Sequence, residues 1–584
     1  MDTLVRESSA ESTAQAWLSD LSAAFASADV AALAALFAGE CYWRDILAFT
    51  WDLHTTSGAR AIAERIVPTL AAAQPRNLRL ASGRTPPRMV TRAGTSCLEA
   101  IIAFETSVGP CSGVVRLVTE GGRPRAWSLS TVLDEIRGHE DVANGKRWQN
   151  VDWKRNFGGE NWADRRRQAA AYTDRDPAVL VVGAAQAGLM AAARLSMLGV
   201  DTLVIDREQR LGDSWRRRYH ALTLHNETRV NHFPYMPFPR SWPVFIPKDM
   251  LANWFELYAE AMELNVWTGT ELVSADYDEA ARRWTVTMKR ADGSERVMHP
   301  RHVVFCNGVS TIPKWPTLPG LDSFAGTVRH SGDYGSGLDW TGKRALVLGT
   351  GTSGHDVAQD LAVSGAEVSI IQHGATLVVS LKEAQAPYAL YDEDISFEDC
   401  DLIAVSSPYP VYERAHQQIT KNNAEADREL LDGLRKRGFR LTSGPEGTGW
   451  QIMYQNRGGG YYFDAGCSQM IVDGRVGFIR FDDIERFCPE GARMRDGTIR
   501  PADLIVLATG YLGQKDAVRP ILGDAITDRI GPVWGFDAEG ELAGMWRPTG
   551  QPGLWFLAGG LAQCRIFSKV LALQIKAREL GITA

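Results

Sequence analysis

The spacing of apolar and polar positions changes along this chain of 584 residues. In the first 140 residues, Ala and Leu recur at helical spacing in AWLSDLSAAFASADVAALAALF, and short strand-like runs such as CLEAIIAFETSV and CSGVVRLVT follow. Helical periodicity followed by such runs predicts a domain of the α+β class. From residue 177 onward, strand-like and helix-like runs alternate, and this pattern predicts an α/β fold.

Two glycine-rich loops lie in the second region, each after an apolar strand-like run and before a helix-like one. The first loop runs from Gly183 to Gly188, and the second runs from Gly349 to Gly354, 166 residues further on. In a βαβ unit, such a turn places backbone N–H groups and a helix N-terminus against a pyrophosphate. We therefore predict two Rossmann-like units that bind two dinucleotides side by side, one FAD and the other a nicotinamide coenzyme.

The first loop carries features that suit FAD. Gly183 and Gly188 are the outer glycines of a G-x-G-x-x-G pattern, but Ala185 occupies the middle position and adds a methyl group near the phosphates. Asp206 ends the next strand-like run, 23 residues after Gly183. A carboxylate at this place accepts hydrogen bonds from the adenosine ribose.

Three further segments carry a resemblance to a known family. The pattern F-x-G-x-x-x-H-x-x-x-[YFW] is complete, with Phe324, Gly326, His330 and Tyr334. LGDSW resembles a GG-x-W motif, with Trp215 in place, and DLIVLATGY matches a D-x-x-x-L-A-T-G-Y strand that contains Thr509 and Gly510. Over residues 177–584 the chain resembles class B flavoprotein monooxygenases. It is most similar to bacterial type II flavin-containing monooxygenases and more distantly similar to the plant YUCCA family.

The resemblance implies a reaction. Nicotinamide hydride reduces FAD, reduced flavin captures O₂ as a C4a-peroxide or hydroperoxide, and one oxygen atom enters a small organic substrate. Baeyer–Villiger oxidation of ketones and oxidation of sulfur or nitrogen are both implied. The Asp503–Tyr511 strand is then the return to the FAD domain. The resemblance also places His330 at the interdomain hinge, as a catalytic candidate that controls conformation.

The family also places an Asn before an FP-x-x-PFP stretch, close to the flavin oxygen. Counting back from Pro239 without a gap reaches His225, whereas Asn226 needs a gap of one residue. Both residues therefore stay candidates for the catalytic contact.

The second loop has all three glycines, Gly349, Gly351 and Gly354. Gln372 lies 23 residues after Gly349, and His373 follows it. Relatives that are strict for NADPH carry Arg near this place, because a guanidinium pairs with the 2′-phosphate. Gln372 can hydrogen-bond a ribose hydroxyl or a phosphate oxygen, so we expect that both NADH and NADPH are used.

The N-terminal region resembles the SnoaL-like, cone-shaped α+β fold. Trp43, Asp45, Trp51 and His54 could line a pocket there, but a structural or oligomer-forming role, as in a homodimer, is favoured. We expect this domain over 1–140, a linker over 141–176, an FAD domain over 177–340 and 501–584, and an inserted NAD(P)H domain over 341–500. The segment from 380 to 500 is expected to shape the substrate pocket.

Composition excludes several other classes. The formal charge of −7 gives no broad basic surface for nucleic acid. The eight cysteines show no C-x-x-C and no metal-ligand spacing, so neither a metal site nor a redox cysteine pair is predicted. The polar start MDTLVRESSAESTAQ and the interrupted apolar stretch 178–200 indicate a cytoplasmic protein without a signal or a membrane span.

Two other functions fit the same motifs. An NAD(P)H oxidase or flavin reductase would release H₂O₂ without oxygenating a substrate. A non-enzymatic redox-sensing protein would use the N-terminal domain to bind partners, although it would have no need of a hydride donor.

Overall fold

The computed structural model describes residues 2–144 and 156–583. Residues 145–155 of the predicted linker lie outside the described residues. The other described linker residues contain one α-helix, α5 (Trp162–Ala171), which begins at a capping box formed by Asn161 and Asp164. No helix in either described range is both long and apolar enough to cross a membrane.

The N-terminal region is a seven-stranded sheet packed on helices. Its strands lie in the order β2-β1-β7-β6-β5-β3, with β4 paired to β5, and β1 is parallel to β7. The helices are α1 (Asp2–Ser27), α2 (Val30–Ala34), α3 (Ala59–Ile66) and α4 (Leu70–Ala73), and the strands are β1 (Phe37–Ile46), β2 (Leu53–Ser57), β3 (Arg76–Leu80), β4 (Arg88–Arg92), β5 (Thr95–Glu105), β6 (Pro110–Glu120) and β7 (Arg123–Leu133). The predicted α+β class is confirmed.

The core of this region leaves Trp43 and Asp45 no pocket to line. Trp43 is 2% exposed and packs on Phe25, Phe37 and Phe49. The Asp45 carboxylate is equally buried and accepts hydrogen bonds from Thr50 and Thr131. Both residues are therefore part of the core.

The first α/β unit is built on a five-stranded parallel sheet of order β12-β9-β8-β16-β27. Helix α6 packs on β8 and β9, and α16 packs on α6. The unit comprises β8 (Val179–Val182), α6 (Gln186–Met197), β9 (Thr202–Ile205), α7 (Asp213–Arg216), β10 (Thr223–Glu227), β11 (Phe245–Pro247), α8 (Lys248–Ala261), β12 (Asn265–Trp267), the antiparallel strands β13 (Thr270–Asp278), β14 (Arg283–Arg290) and β15 (Glu295–Met298), then β16 (His302–Phe305) and, at the end of the chain, β27 (Leu554–Phe556) and α16 (Leu561–Glu579).

The second α/β unit lies between β16 and β27 in sequence, as the predicted insertion requires. Its parallel sheet has the order β17-β26-β18-β19-β22. Its elements are β17 (Thr327–His330), β18 (Arg344–Leu348), α9 (Thr352–Val363), β19 (Glu367–Gln372), β20 (Leu377–Ser380), α10 (Phe397–Val405), α11 (Tyr409–Ala426), α12 (Arg428–Lys436), α13 (Gly449–Arg457), β21 (Tyr461–Asp464), α14 (Cys467–Val472), β22 (Gly477–Arg480), β23 (Ile484–Cys488), β24 (Gly491–Met494), β25 (Ile499–Pro501) and β26 (Leu504–Leu507), followed by α15 (Gln514–Arg529).

This topology corrects the expected boundaries at 340 and 500. Strands β17 and β26 lie side by side in the second sheet, although the sequence interpretation placed them in the FAD domain. The strand that returns to the first sheet is β27, next to β16. An apolar run such as DLIVL predicts a buried parallel strand, but it does not reveal which of two similar sheets receives the strand.

Candidate active site

A single cleft lies at the carboxyl ends of the two parallel sheets. Its volume is about 1980 Å³, and residues from both glycine loops line it. Ligands of open α/β sheets bind at this edge, because the turns between strand and helix meet there. The cleft is therefore the candidate site.

The first glycine loop is a close-packed turn that requires glycine at both ends. Gly183 has φ 105°, and a Cβ there would lie 2.8 Å from the carbonyl oxygen of Cys306. A Cβ at Gly188 would lie 1.9 Å from the Gly183 oxygen. Ala185 has φ −87°, so its methyl group causes no backbone strain, and it lines the cleft. The turn fits a dinucleotide pyrophosphate at the start of α6.

Asp206 and Trp215 line the cleft beside this loop. One Asp206 carboxylate oxygen accepts from the Ala184 N–H at 2.7 Å, and the other accepts from the Glu208 N–H at 2.9 Å. Trp215 Nε1 donates to Gln186 Oε1 at 3.3 Å. Asp206 therefore also stabilises the loop, a role that its position in the sequence did not indicate.

The second loop repeats this packing. Gly349 has φ 118°, and a Cβ there would lie 2.3 Å from the Ala508 oxygen, while a Cβ at Gly354 would lie 1.9 Å from the Gly349 oxygen. Gly351 is less crowded, because a Cβ there would lie 3.7 Å from its nearest neighbour, the Tyr461 carbonyl oxygen. This turn also fits a pyrophosphate, at the start of α9.

Thr509 and Gly510 line the cleft directly after β26, on the side of the second sheet. The hydroxyl of Thr509 donates to the Lys314 carbonyl at 2.6 Å. Because β26 pairs with β17 and β18, these two residues belong to the second sheet and not to the FAD sheet that the motif suggested.

The structure gives Gln372 and His373 different surroundings. Gln372 is 2% exposed, and its side chain pairs with the backbone of Arg440: Nε2 donates to the oxygen at 2.9 Å, and Oε1 accepts from the N–H at 2.8 Å. This corrects the interpretation of Gln372 as a ribose or phosphate contact. His373 is exposed, lines the cleft and packs edge-on against Phe481.

His330 lies at the end of β17, where it joins two segments of the second unit. Nδ1 accepts from the Gly332 N–H and Nε2 donates to the Gly510 carbonyl, both at 3.1 Å. The ring is fully buried, and burial lowers its pKa. A neutral ring that uses both nitrogens in this way holds the following turn in place. In this structure His330 positions the turn, and a catalytic role for it stays a prediction.

His225 and Asn226 both line the cleft. The His225 ring packs edge-on against Phe463 with centroids 4.5 Å apart, and burial lowers its pKa to about 4. Asn226 Nδ2 donates to the Tyr388 hydroxyl at 3.0 Å, while its buried Oδ1 has no hydrogen-bond partner among the described residues. An unpaired buried polar atom beside a cavity indicates a place for a ligand atom. Asn226 is thus the better candidate.

Comparison with known proteins agrees with this geometry. Residues 178–410 match the family model "Flavin-binding monooxygenase-like". The indole-3-pyruvate monooxygenase YUCCA1 of Oryza sativa subsp. japonica is 30% identical over 352 residues, which cover 60% of this chain and 80% of the rice protein. The chain belongs to the flavin-binding monooxygenase-like family. It is therefore a flavoprotein monooxygenase, as its motifs predicted.

Solved structures show the same fold for this flavin-binding monooxygenase. An open crystal structure of cyclohexanone monooxygenase superposes with a TM-score of 0.52 and 18% identity, over 70% of this chain and 88% of that one. OTEMO, solved in complex with FAD and NADP, gives a TM-score of 0.51 at 18% identity, over 70% and 87% of the two chains.

Sequence reasoning missed much of the cleft wall of this monooxygenase. The segment 380–500 lines it as expected, but the sequence did not indicate which of its side chains do so. They include eight aromatic residues: Tyr388, Tyr391, Tyr409, Tyr412, Trp450, Tyr454, Tyr461 and Phe481. The density of aromatic residues in GWQIMYQNRGGGYYF was the available signal. Arg44 and Arg116 of the N-terminal region also line the cleft, and nothing in the sequence placed them there.

Arg565 illustrates how this wall is fixed. It lies in the first turns of α16, 4% exposed, and its guanidinium donates twice to Asp401 of α10, at 2.9 and 2.7 Å. It also donates to the carbonyls of Val230 and His232. Arg565 thus joins the first unit to α10 and does not itself line the cleft.

Proposed function

We propose that this monooxygenase binds FAD at the Gly183–Gly188 loop and NADPH or NADH at the Gly349–Gly354 loop, and inserts one atom of O₂ into a small organic substrate. The observation that carries the proposal is that both loops need glycine for the same close packing and line one cleft. Among its relatives, OTEMO was solved with FAD and NADP.

The residues of the chain have separate tasks in this proposal. The two loops and helix N-termini bind the pyrophosphates, and Asp206 faces the cleft where an adenosine ribose would lie. Bound there, flavin supplies hydride acceptance and oxygen activation. The aromatic wall excludes water, which protects a reactive oxygen species from decay. Tyr388 holds one N–H of Asn226 and so orients its amide toward the cleft.

Substrate chemistry belongs to the proposal as well. An aromatic wall with tyrosine hydroxyls suits a small, largely apolar molecule with one polar group, such as a cyclic ketone or an aryl sulfide. We further propose that the N-terminal α+β domain is SnoaL-like, that the enzyme is a cytoplasmic homodimer, and that the domain stabilises the wall of the cleft.

Stoichiometry tests the function. We would measure NADPH and O₂ consumption, H₂O₂ release and product with cyclohexanone and with methyl phenyl sulfide. We expect product to form in proportion to NADPH consumed, with little H₂O₂. An H₂O₂ yield equal to the NADPH consumed, with both compounds and at every concentration tested, would show instead an NAD(P)H oxidase.

A further inference from the structure

A second cavity of about 550 Å³ lies between the N-terminal region and the loop that follows α15. Strand β2 contributes Thr55, Thr56 and Ser57, and the loop contributes residues 537–540. Ser57, Asn456 and Ala538 on its wall are exposed, so the cavity is open to solvent.

The second cavity and the main cleft share a wall. Tyr409, Phe536 and Gly540 line both of them. The rings of Tyr409 and Phe536 lie with centroids 4.5 Å apart and planes inclined by 56°. A Cβ at Gly540 would lie 2.2 Å from Tyr409 Cβ, so the absence of a side chain there lets Tyr409 pack against the loop backbone. Two aromatic rings thus belong to the wall that the cavities share.

The loop that carries Phe536 is bent by unusual backbone angles and is tethered at its tip. Between residues 531 and 544, four glycines and Trp534 have positive φ, from 64° to 82°. The N-terminal region holds the tip, because Glu539 is paired with Arg65 at 2.7 Å and Glu541 with Arg44 at 2.6 Å. Because these ion pairs hold the loop backbone, the wall between the cavities opens by rotation of the Tyr409 and Phe536 side chains.

The chemistry of the second cavity suits an uncharged molecule. Its charged lining residues are Arg65, Asp537 and Glu539; Glu539 pairs with Arg65, and Asp537 pairs with Arg547 at 2.9 Å. The remaining polar groups on β2 are hydroxyls, which a neutral molecule with one polar atom can contact in passing. Glu539 balances the charge of Arg65, whose buried Nη1 has no hydrogen-bond partner among the described residues and is a donor for the oxygen atom of a neutral molecule.

We propose that Tyr409 and Phe536 are a side-chain gate through which a small uncharged substrate enters the main cleft from the second cavity. Two dinucleotides in the main cleft would occupy its open side next to the glycine loops, and a separate passage lets substrate enter while the coenzyme stays bound. The identity of the molecule rests on the proposed function, but the passage itself does not.

Thiol labelling tests the passage. All eight native cysteines are buried, and Ala415→Cys, on α11 and lining the main cleft but not the second cavity, supplies the reactive thiol. Cys306 also lines the main cleft, so the labelling rate of the same chain with Ala at position 415 is subtracted in every case. The probe is N-ethylmaleimide, which is small and uncharged, and the full chain is saturated with FAD and NADP⁺. In this background we expect Phe536→Ala to raise the labelling rate by about tenfold and Phe536→Trp to lower it, because the barrier is the ring itself.

The matched control is Thr56→Ala, which lines the second cavity but not the shared wall, and its labelling rate should equal that of the parent. If Phe536→Ala and Phe536→Trp both label at the parent rate, the thiol is reached through the main cleft and the gate does not exist. Phe536→Leu opens the same wall with a smaller loss of packing, and it is judged on the same rates if the alanine variant is insoluble.

Flavin content, measured by absorbance of the same samples, separates the two proposals. A chain that holds no FAD contradicts the proposed function, and faster labelling of Phe536→Ala than of Phe536→Trp in that chain still supports the gate. A chain that holds FAD but shows no dependence on the side chain at position 536 contradicts the gate alone.

Discussion

At the scale of single residues, the choice between His225 and Asn226 depends on their surroundings. His225 packs against Phe463 and is uncharged at neutral pH, since burial lowers its pKa to about 4. Asn226 has a buried oxygen without a partner in the described chain and an N–H group fixed by Tyr388. A motif count could not separate two adjacent residues, because the count carries no information on the hydrogen-bond partners of either side chain.

The amide of Asn226 gives a first prediction. Asn226→Leu keeps the size of the side chain but removes its hydrogen bonds, so the fraction of NADPH oxidised to H₂O₂ should rise by about tenfold, as expected for the loss of about 1.5 kcal/mol. Coupled assays of H₂O₂ and product measure this fraction. His225→Leu is the control and should change it less than twofold. Equal effects of the two variants would remove Asn226 from its proposed role.

Coenzyme choice gives a second prediction. The Gln372 amide is hydrogen-bonded to the backbone of Arg440, so of Gln372 and His373 only His373 lines the cleft. We expect NADH and NADPH to have kcat/KM values within about tenfold of each other, and His373→Arg to favour NADPH by a further factor of roughly 10 to 150. The kcat/KM ratio at pH 8 is the measurement.

Gln372→Arg is the matched comparison for this prediction. It removes both hydrogen bonds to the Arg440 backbone and puts a cation in a buried position, so it should lower the thermal unfolding temperature without a gain in NADPH preference. A wild-type preference for NADPH above about a hundredfold would mean that another cation binds the 2′-phosphate.

At the scale of elements, the two glycine loops were predictable and their strand partners were not. The glycine spacing follows from a turn in which a Cβ would meet the carbonyl of the first glycine, and this requirement is local. The place of β26 depends on pairing with β17 and β18, far apart in sequence. Local patterns thus identify the dinucleotide turns, whereas sheet membership is a tertiary property.

The equal geometry of the loops gives a third prediction. Added Cβ atoms at Gly188 and Gly354 would each lie 1.9 Å from the oxygen of the first glycine. Gly188→Ala and Gly354→Ala should therefore distort their own loops to a similar extent. Each substitution should lower the free energy of unfolding by about 1 to 3 kcal/mol. We expect Gly188→Ala to purify nearly colourless, and Gly354→Ala to stay yellow but to be reduced slowly by NADPH in stopped-flow absorbance. The reverse pattern would exchange the two cofactor assignments.

At the scale of the whole molecule, the N-terminal region packs directly against the two α/β units. Val411 of α11 packs among Tyr42, Cys97 and Trp127, and Arg116 donates to Ser406 at 2.8 Å. The sequence could not predict these contacts, because no local pattern shows that a helix in the segment 380–500 packs against a strand near the N-terminus. Through these contacts the N-terminal region becomes part of the cleft wall.

A hydrogen bond to a buried carboxyl group also joins the two α/β units. Tyr219, between α7 and β10, is buried in the core of the second unit, and its hydroxyl donates to Asp356 of α9 at 2.6 Å. Burial, together with a smaller effect of the nearby Asp360, raises the pKa of Asp356 to about 6, although the hydrogen bond from Tyr219 acts in the opposite direction. Ionisation of Asp356 therefore weakens the folded state at this junction.

The pH dependence of stability gives the last prediction. Below the ordinary pKa of 3.8, the Asp356 carboxyl is protonated in both the folded and the unfolded chain. Between 3.8 and about 6 the unfolded chain releases its proton while the folded chain keeps it, so the free energy of unfolding falls as pH rises. The total loss is about 3 kcal/mol, since each pKa unit corresponds to about 1.4 kcal/mol.

Asp356→Asn removes this titration but leaves an oxygen that can accept from Tyr219. Relative to wild type, we expect it to unfold at a higher temperature at pH 7.5 and at nearly the same temperature at pH 4. Tyr219→Phe removes the hydroxyl that stabilises the carboxylate, so it should destabilise the chain more at pH 7.5 than at pH 4. Scanning fluorimetry over this pH range measures both differences. A constant difference between wild type and Asp356→Asn would show that the carboxyl is already ionised at pH 4 and that the junction does not respond to pH.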